Sequence, residues 1–197
     1  MLLLTFPLFQ WLPLLQRLHS AFFTVPSLRD WALGLGLLLL YALIAIPWGL
    51  GLPWTVDKSR SSSFLRWQPV TAPLTIVTTL GIALIFPALM EELLFRVMLL
   101  PSPHHPYFYG WAALALILFI LAHPLNALLF FPHRKATFFN PLFLILAGLL
   151  GGLCTIAYQS SGSLWLPLLL HWIPVVLWLL CWGGLERMAP PTDSPPS

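Results

Sequence analysis

The chain has 197 residues, of which 59% are hydrophobic and 8% are charged, and its formal net charge is +3. A soluble globular domain carries about 25% charged residues, so this composition excludes a single soluble core and is typical of a polytopic membrane protein. The basic residues lie at the edges of apolar runs and form no continuous stripe. We therefore expect the lipid bilayer as a partner and no nucleic acid.

Apolar runs of roughly 20 residues are long enough to cross a bilayer as helices. Residues 1–22 are apolar but contain Pro7, Pro13 and Arg17, so we expect an interfacial helix there rather than another span. The predicted fold is all-α, a polytopic transmembrane helix bundle of about five to six spans with the active site inside the bundle. The predicted spans are residues 31–54, 70–100, 110–131, 138–158 and 163–185.

Three regions follow from this pattern. Residues 1–30 are predicted to be an N-terminal apolar, interfacial segment, and residues 31–187 a transmembrane domain. Residues 188–197 form a Pro/Ser-rich tail that we expect to be disordered. The first residues lack a basic start and an Ala-x-Ala cleavage site, so no signal peptide is expected.

Lysine and arginine are distributed unequally between the two ends of the predicted spans. Arg17 and Arg29 lie on one side, and the larger group lies on the other, which the positive-inside rule assigns to the cytoplasm. That larger group consists of Lys58, Arg60, Arg66, Arg134, Lys135 and Arg187.

A glycine-rich stretch, LAGLLGGL, lies within the predicted span 138–158. Gly148, Gly151 and Gly152 allow a close approach between helices, and Gly148 and Gly152 have the small-xxx-small spacing. Ordinary helix packing is the alternative interpretation.

Two carboxylates and one arginine interrupt the apolar stretch IFPALMEELLFRVMLL, residues 85–100. Pro87 cannot donate a helical hydrogen bond, so we expect a kink just before the carboxylates. Glu92 and Arg96 are four residues apart and are predicted to pair on one helix face. Glu91 points about 100° away and is predicted to face a cavity. An ionisable group at this depth costs at least ~2.5–3.5 kcal/mol, which favours a functional role over a purely structural ion pair.

Two histidines on other predicted spans reach a similar depth. His123 shares a helix face with Asn126, and His171 lies in the last span. Counting along each helix places Glu91, His123 and His171 roughly 12–20 Å from the same membrane face. A carboxylate and two imidazoles can bind Zn²⁺ or can activate a water molecule directly, and the residues alone leave both alternatives open. Each histidine taken singly could also be a packing residue.

The motifs EELLFR (Glu91, Glu92, Arg96) and FILAH (ending in His123), followed by His171, resemble a known family. This is the CAAX-protease and bacteriocin-processing-enzyme (CPBP, or Abi) family of type II CAAX prenyl endopeptidase-like intramembrane proteases. The resemblance covers roughly residues 70–185 and implies a membrane endopeptidase, of glutamate-dependent or metallo type, acting on a membrane-associated or CAAX-like peptide. It implies that Glu91 and His123 activate water, that His171 stabilises the oxyanion, and that Glu92 and Arg96 support them.

One position departs from the family motif. Where Asn or Asp is expected four residues after His171, the chain has Val175, which cannot donate a hydrogen bond to an oxyanion. Asn126 is a candidate to supply that amide. The alternative functions are a non-catalytic scaffold or immunity-type protein of the same fold, and an ion transporter, against which the lack of an inverted repeat counts. A prokaryotic inner membrane or a plastid-type membrane is the expected location.

Overall fold

The computed structural model describes residues 6–49, 67–101 and 105–190. These residues are largely helical, as predicted, and form a bundle of apolar helices without a strand among them. A 3₁₀ turn, Pro132–Arg134, links the two halves of the bundle. The helices are α1 Phe6–Phe23, α2 Leu28–Gly49, α3 Pro73–Met98, α4 Phe108–Leu129, α5 Lys135–Phe138, α6 Pro141–Ser161, α7 Trp165–Cys181 and α8 Gly184–Met188.

Four of these helices, α2, α3, α4 and α6, are long and apolar enough to cross a membrane, so the chain is a helical membrane protein. They lie close to the first four predicted spans. The fifth predicted span, 163–185, is shorter in the structure, because α7 has 17 residues and the chain turns at Gly183 with φ 74°. Residues 50–66 and 191–197, with the end of the first predicted span and most of the predicted tail, lie outside the described residues.

Local side-chain chemistry explains where several helices begin. Ser27 and Asp30 form a reciprocal capping box at the start of α2, with Ser27 N–H donating to Asp30 Oδ2 at 2.9 Å. Asn140 caps α6, because its Oδ1 accepts from the backbone N–H of Leu142 at 2.9 Å. Pro141 follows at the first helical position, where its missing N–H costs nothing.

Two segments that separate the predicted spans, residues 132–137 and 159–162, are largely helical. Residues 132–137 form the 3₁₀ turn and most of α5, and residues 159–161 complete α6. The polar sequence QSSG misleads because its hydroxyls are satisfied within the bundle: Ser161 Oγ donates to Ala157 O at 2.8 Å, and Ser160 Oγ to Asp30 Oδ1 at 2.8 Å. Gly162, with φ 62°, then ends the helix in the left-handed conformation that glycine adopts without strain.

Helix α3 is kinked where Pro87 predicts it. Phe86 has extended dihedral angles, φ −127° and ψ 112°, within a π-helical turn at Leu84–Leu89. A regular turn, Met90–Glu92, follows, and a second π-helical turn covers Leu93–Met98. Proline at this point both removes a backbone donor and crowds the preceding turn, which is sufficient to interrupt the helix.

The close approach between α6 and α4 involves two of the three glycines in LAGLLGGL. A Cβ at Gly151 would lie 3.0 Å from side-chain atoms of Leu116 and Phe119, and a Cβ at Gly148 would lie 2.9 Å from Ile120 Cδ1. A Cβ at Gly152 would meet nothing within 4 Å. Of the three glycines singled out by the sequence, Gly148 and Gly151, three residues apart on one face, therefore allow the contact with α4, and Gly152 does not contribute to it.

Helix α1 is attached to the bundle near the carboxyl end of α3. Arg17 Nη1 donates to Leu100 O at 2.7 Å, and Ala21 O accepts from the backbone N–H of Leu164 at 2.9 Å. Ala21 is fully buried in a cluster with Val97 and Leu164. Its contacts thus tie α1 to the helices that carry the polar residues. The predicted boundary after residue 30 stays a prediction.

Candidate active site

The two adjacent glutamates, which lie in the regular turn after the kink in α3, have different environments. Glu92 is completely buried, whereas the side chain of Glu91 retains 22% of its exposure. Successive residues on a helix point about 100° apart, so one carboxylate enters the protein interior and the other faces the cavity described below. This is the division that the sequence predicts.

Arg96 is the buried partner of Glu92. Its Nε lies 3.1 Å from Glu92 Oε2, and both side chains have at most 1% exposure. Neither of these two atoms makes a hydrogen bond among the described residues, so the contact is an ion pair without hydrogen-bond alignment. The i,i+4 spacing predicted this pair.

Two further groups hold the Arg96 guanidinium in place. Its Nη2 donates to Gly151 O at 2.7 Å, and its Cζ lies 4.9 Å from the centroid of the Phe119 ring. The absence of a side chain at Gly151 leaves room for Phe119, the same ring that the guanidinium contacts. The carbonyl and the ring face favour the cation electrostatically, and neither could be inferred from sequence spacing.

His171, on α7, bridges the two glutamates. Its Nδ1 lies 2.7 Å from Glu92 Oε1, and its Nε2 lies 3.8 Å from Glu91 Oε2. A carboxylate only accepts, so Nδ1 carries the proton of the shorter contact and Nε2 is directed toward Glu91. The sequence predicts that His171 reaches this layer, but it does not predict the hydrogen bond to Glu92.

One oxygen of Glu91 is buried without a hydrogen bond among the described residues. Among the described residues, Oε2 makes no hydrogen bond and has almost no exposed surface. A buried carboxylate oxygen is unfavourable unless water or a ligand satisfies it. Glu91 is therefore the acidic group that is free to act on a molecule in the cavity.

His123, on α4, is oriented by a backbone carbonyl and by aromatic rings. Its Nδ1 donates to Phe119 O at 2.9 Å, so in the neutral ring Nε2 is left as an acceptor. The ring makes edge contacts with Phe119, Phe138 and Phe143 at centroid distances of 5.0, 5.7 and 5.4 Å. Phe119 also contacts His171 at 6.0 Å, so one ring lies against both histidines.

A cavity of about 850 Å³ brings the predicted site residues to one space. Glu91, His123, Asn126 and His171 line it, and Val175 lines it as well. The side-chain amide of Asn126 has no hydrogen-bond partner among the described residues, so it is available to a bound molecule. Glu92 and Arg96 are buried and do not line the cavity, and their supporting role stays a prediction.

One group of buried ligands, which lies largely behind the cavity wall, does not suit a catalytic metal. Within the described residues, the group that could share one ion is Glu92, Cys154 and His171, whose ligand atoms all lie within 4.8 Å of one another. Glu92 already pairs with Arg96 and His171, and neither Glu92 nor Cys154 lines the cavity. A catalytic ion needs an open coordination position, which a fully buried group does not offer.

The predicted zinc ligands, Glu91, His123 and His171, do line the cavity, but they are not such a group in the described part of the chain. Zinc therefore stays a prediction, and no step of the reaction proposed for this site depends on it.

Comparison with known protein families identifies a relationship for the part of the chain that carries the site. The family model described as type II CAAX prenyl endopeptidase Rce1-like matches residues 73–177, which extend from the start of α3 into α7 and include every predicted site residue. No curated protein and no solved structure matches the chain.

Proposed function

The chain belongs to the type II CAAX prenyl endopeptidase Rce1-like family, and on that premise we propose that it is an intramembrane endopeptidase hydrolysing a peptide bond of a membrane-associated or CAAX-like substrate. One observation carries the proposal: Glu91, which lines a cavity together with His123 and His171, has a buried oxygen that makes no hydrogen bond among the described residues. Apolar helices enclose this cavity, so a substrate carbonyl and a water molecule would meet there away from bulk solvent.

Glu91 and His123 activate the water in this proposal. Glu91 accepts a proton as the water oxygen attacks the peptide carbonyl, while His123 Nε2 accepts a hydrogen bond from the same water and orients it. The tetrahedral intermediate then collapses, the carbon–nitrogen bond breaks, and the proton on Glu91 passes to the leaving amine. Glu91 is ionised again after each turnover.

His171 and Asn126 supply the oxyanion donors. His171 Nδ1 is occupied by Glu92, so Nε2 can donate to the oxyanion when the ring carries both protons. Glu92 and Arg96 hold this ring in position from behind. Asn126 provides the second donor, since Val175 has none and the Asn126 amide is without a partner among the described residues.

The test is cleavage of a quenched membrane-peptide library by the purified protein in lipid nanodiscs. Glu91→Gln and His123→Ala are expected to lower the rate by about 10²–10⁴-fold, as for loss of general acid–base catalysis. Glu186→Gln and His133→Ala are matched controls, because both residues are exposed and neither lines the cavity. A folded wild type that cleaves nothing, or a Glu91→Gln variant with full activity, would refute the proposal.

A chelator arm of the same assay tests the metal. Activity that survives an excess of chelator supports the glutamate-dependent reaction. Activity that disappears and returns with added Zn²⁺ would show that an ion binds in an arrangement different from the one described.

The second candidate function is a non-catalytic membrane scaffold or immunity-type protein of the same fold. Val175 favours it, because this apolar side chain lines the cavity at the position where the family motif has a hydrogen-bonding residue. A phenotype of the intact cell that depends on the protein but is unchanged by Glu91→Gln would support this candidate. For both candidate functions, we propose that the protein lies in a prokaryotic inner membrane or a plastid-type membrane.

A further inference from the structure

The cavity has one cationic side chain at its wall. Among the described residues, Arg134 is the one lysine or arginine that lines it. Arg134 ends the 3₁₀ turn after α4, at the side of the bundle predicted to be cytoplasmic. Phe131 and Met188 line the same cavity.

Two contacts fix the orientation of the Arg134 guanidinium. Its Nε donates to Met188 O at 3.2 Å, and its Cζ lies 4.4 Å from the centroid of the Phe131 ring. The two Nη nitrogens have no acceptor among the described residues. They are the pair of parallel donors that matches a carboxylate.

The charge of Arg134 has no counter-ion in the described part of the chain. Its contacts there are with a carbonyl oxygen and an aromatic ring, and partial burial lowers the pKa of Arg134 from its ordinary value. A cation that loses water without gaining an anion is unfavourable, so an anionic group brought into the cavity would be stabilised at this position.

We propose that Arg134 binds a carboxylate of the peptide in the cavity, either its C-terminal carboxylate or an acidic side chain, and so selects which peptides lie across Glu91. The inference rests on the proposed function, since it takes the occupant of the cavity to be a peptide. A lipid phosphate is the less favoured occupant of the Arg134 site. Lys135, the next residue, is exposed and lies outside the cavity, so a lipid headgroup would meet that cation first.

The test is peptide binding to the full chain carrying Glu91→Gln, in nanodiscs of neutral lipid. The probes are fluorescent apolar hexapeptide libraries in three forms: with a free C-terminal carboxylate, with a C-terminal amide, and with a C-terminal amide and one internal Asp. The carboxylate-bearing forms are expected to bind about 10- to 100-fold more tightly than the plain amide, the effect of a hydrogen bond to a charged group.

Arg134→Gln is expected to abolish this preference, whereas Lys135→Gln retains it. The two amidated libraries distinguish a C-terminal carboxylate from an acidic side chain. If Glu91→Gln does not fold, His123→Gln provides the second background. Two results would overturn the inference. One is equal binding of all three peptide forms, and the other is an equal loss of the carboxylate preference in Arg134→Gln and Lys135→Gln.

Adding anionic lipid to the nanodiscs tests the other occupant: a preference that anionic lipid removes would assign Arg134 to lipid and also overturn the inference. If the wild type cleaves peptides but shows no preference for a carboxylate, the role of Arg134 is refuted and the proposed protease activity is not. A carboxylate preference in a protein that cleaves nothing would instead refute the proposed protease and leave the binding site in place.

Discussion

Replacing Arg96 with methionine should destabilise the bundle strongly. Arg96 and Glu92 are almost completely buried, and the arginine is the closest positive charge to Glu92, at 3.1 Å. Arg96→Met keeps an apolar stem of similar length but leaves a buried carboxylate without its counter-ion. It also removes the hydrogen bond from Arg96 Nη2 to Gly151 O, although Thr155 Oγ1 still donates to that oxygen at 3.0 Å. Breaking a buried pair in this way costs about 3–5 kcal/mol in the free energy of unfolding.

The double variant makes the reasoning specific. Glu92→Gln combined with Arg96→Met removes both charges. The double variant is therefore expected to lose about 1–3 kcal/mol less free energy of unfolding than the two single variants lose in sum. The glutamine introduced by Glu92→Gln would still accept from His171 Nδ1 through its side-chain carbonyl, which preserves the contact that Oε1 makes in the wild type. The cycle therefore isolates the ion pair from the histidine contact.

The assay is reversible unfolding in mixed micelles, followed by circular dichroism and tryptophan fluorescence. Lys135→Met is the matched control, because this cation is exposed and should change the free energy of unfolding by no more than about 0.5 kcal/mol. If Arg96→Met changes the free energy of unfolding as little as this control does, the buried pair does not stabilise the bundle as described. The same conclusion follows if the losses of unfolding free energy in the two single variants add up to that of the double variant within about 0.5 kcal/mol.

Three further substitutions test the rest of the site. Glu91→Gln should lower peptide cleavage by about 10²–10⁴-fold with an unchanged melting temperature, whereas a large fall in melting temperature would show a structural role. Asn126→Ala should lower kcat by about 10²–10³-fold, the effect of losing one oxyanion donor; an unchanged kcat means that Asn126 does not replace the missing amide. Gly151→Ala should cost about 1–3 kcal/mol of stability by overpacking α4, measured against Gly152→Ala, whose added methyl meets nothing within 4 Å; equal effects would contradict the packing described.

Local patterns were sufficient wherever a feature depends on neighbouring residues. Hydropathy and length predicted the long helices within a few residues, because each apolar run must satisfy its own backbone inside a membrane. Pro87 predicted the kink in α3, and the four-residue interval predicted the pair of Glu92 and Arg96. Errors arose at QSSG, where hydroxyls resembling a loop signal are satisfied within and between helices.

The sequence by itself determined the fold class, the helix that carries the two glutamates, and the presence of two histidines at a common depth. Only the tertiary structure decided that His171 lies between Glu91 and Glu92. It also decided that Gly151 O accepts a hydrogen bond from Arg96 and that Arg134 lines the cavity. The physical reason is that helix periodicity fixes which residues share a face of one helix, whereas the rotation and approach of two helices depend on packing between distant segments. A small residue such as Gly151 sets that approach, and its effect becomes visible only when the neighbouring helix is in place.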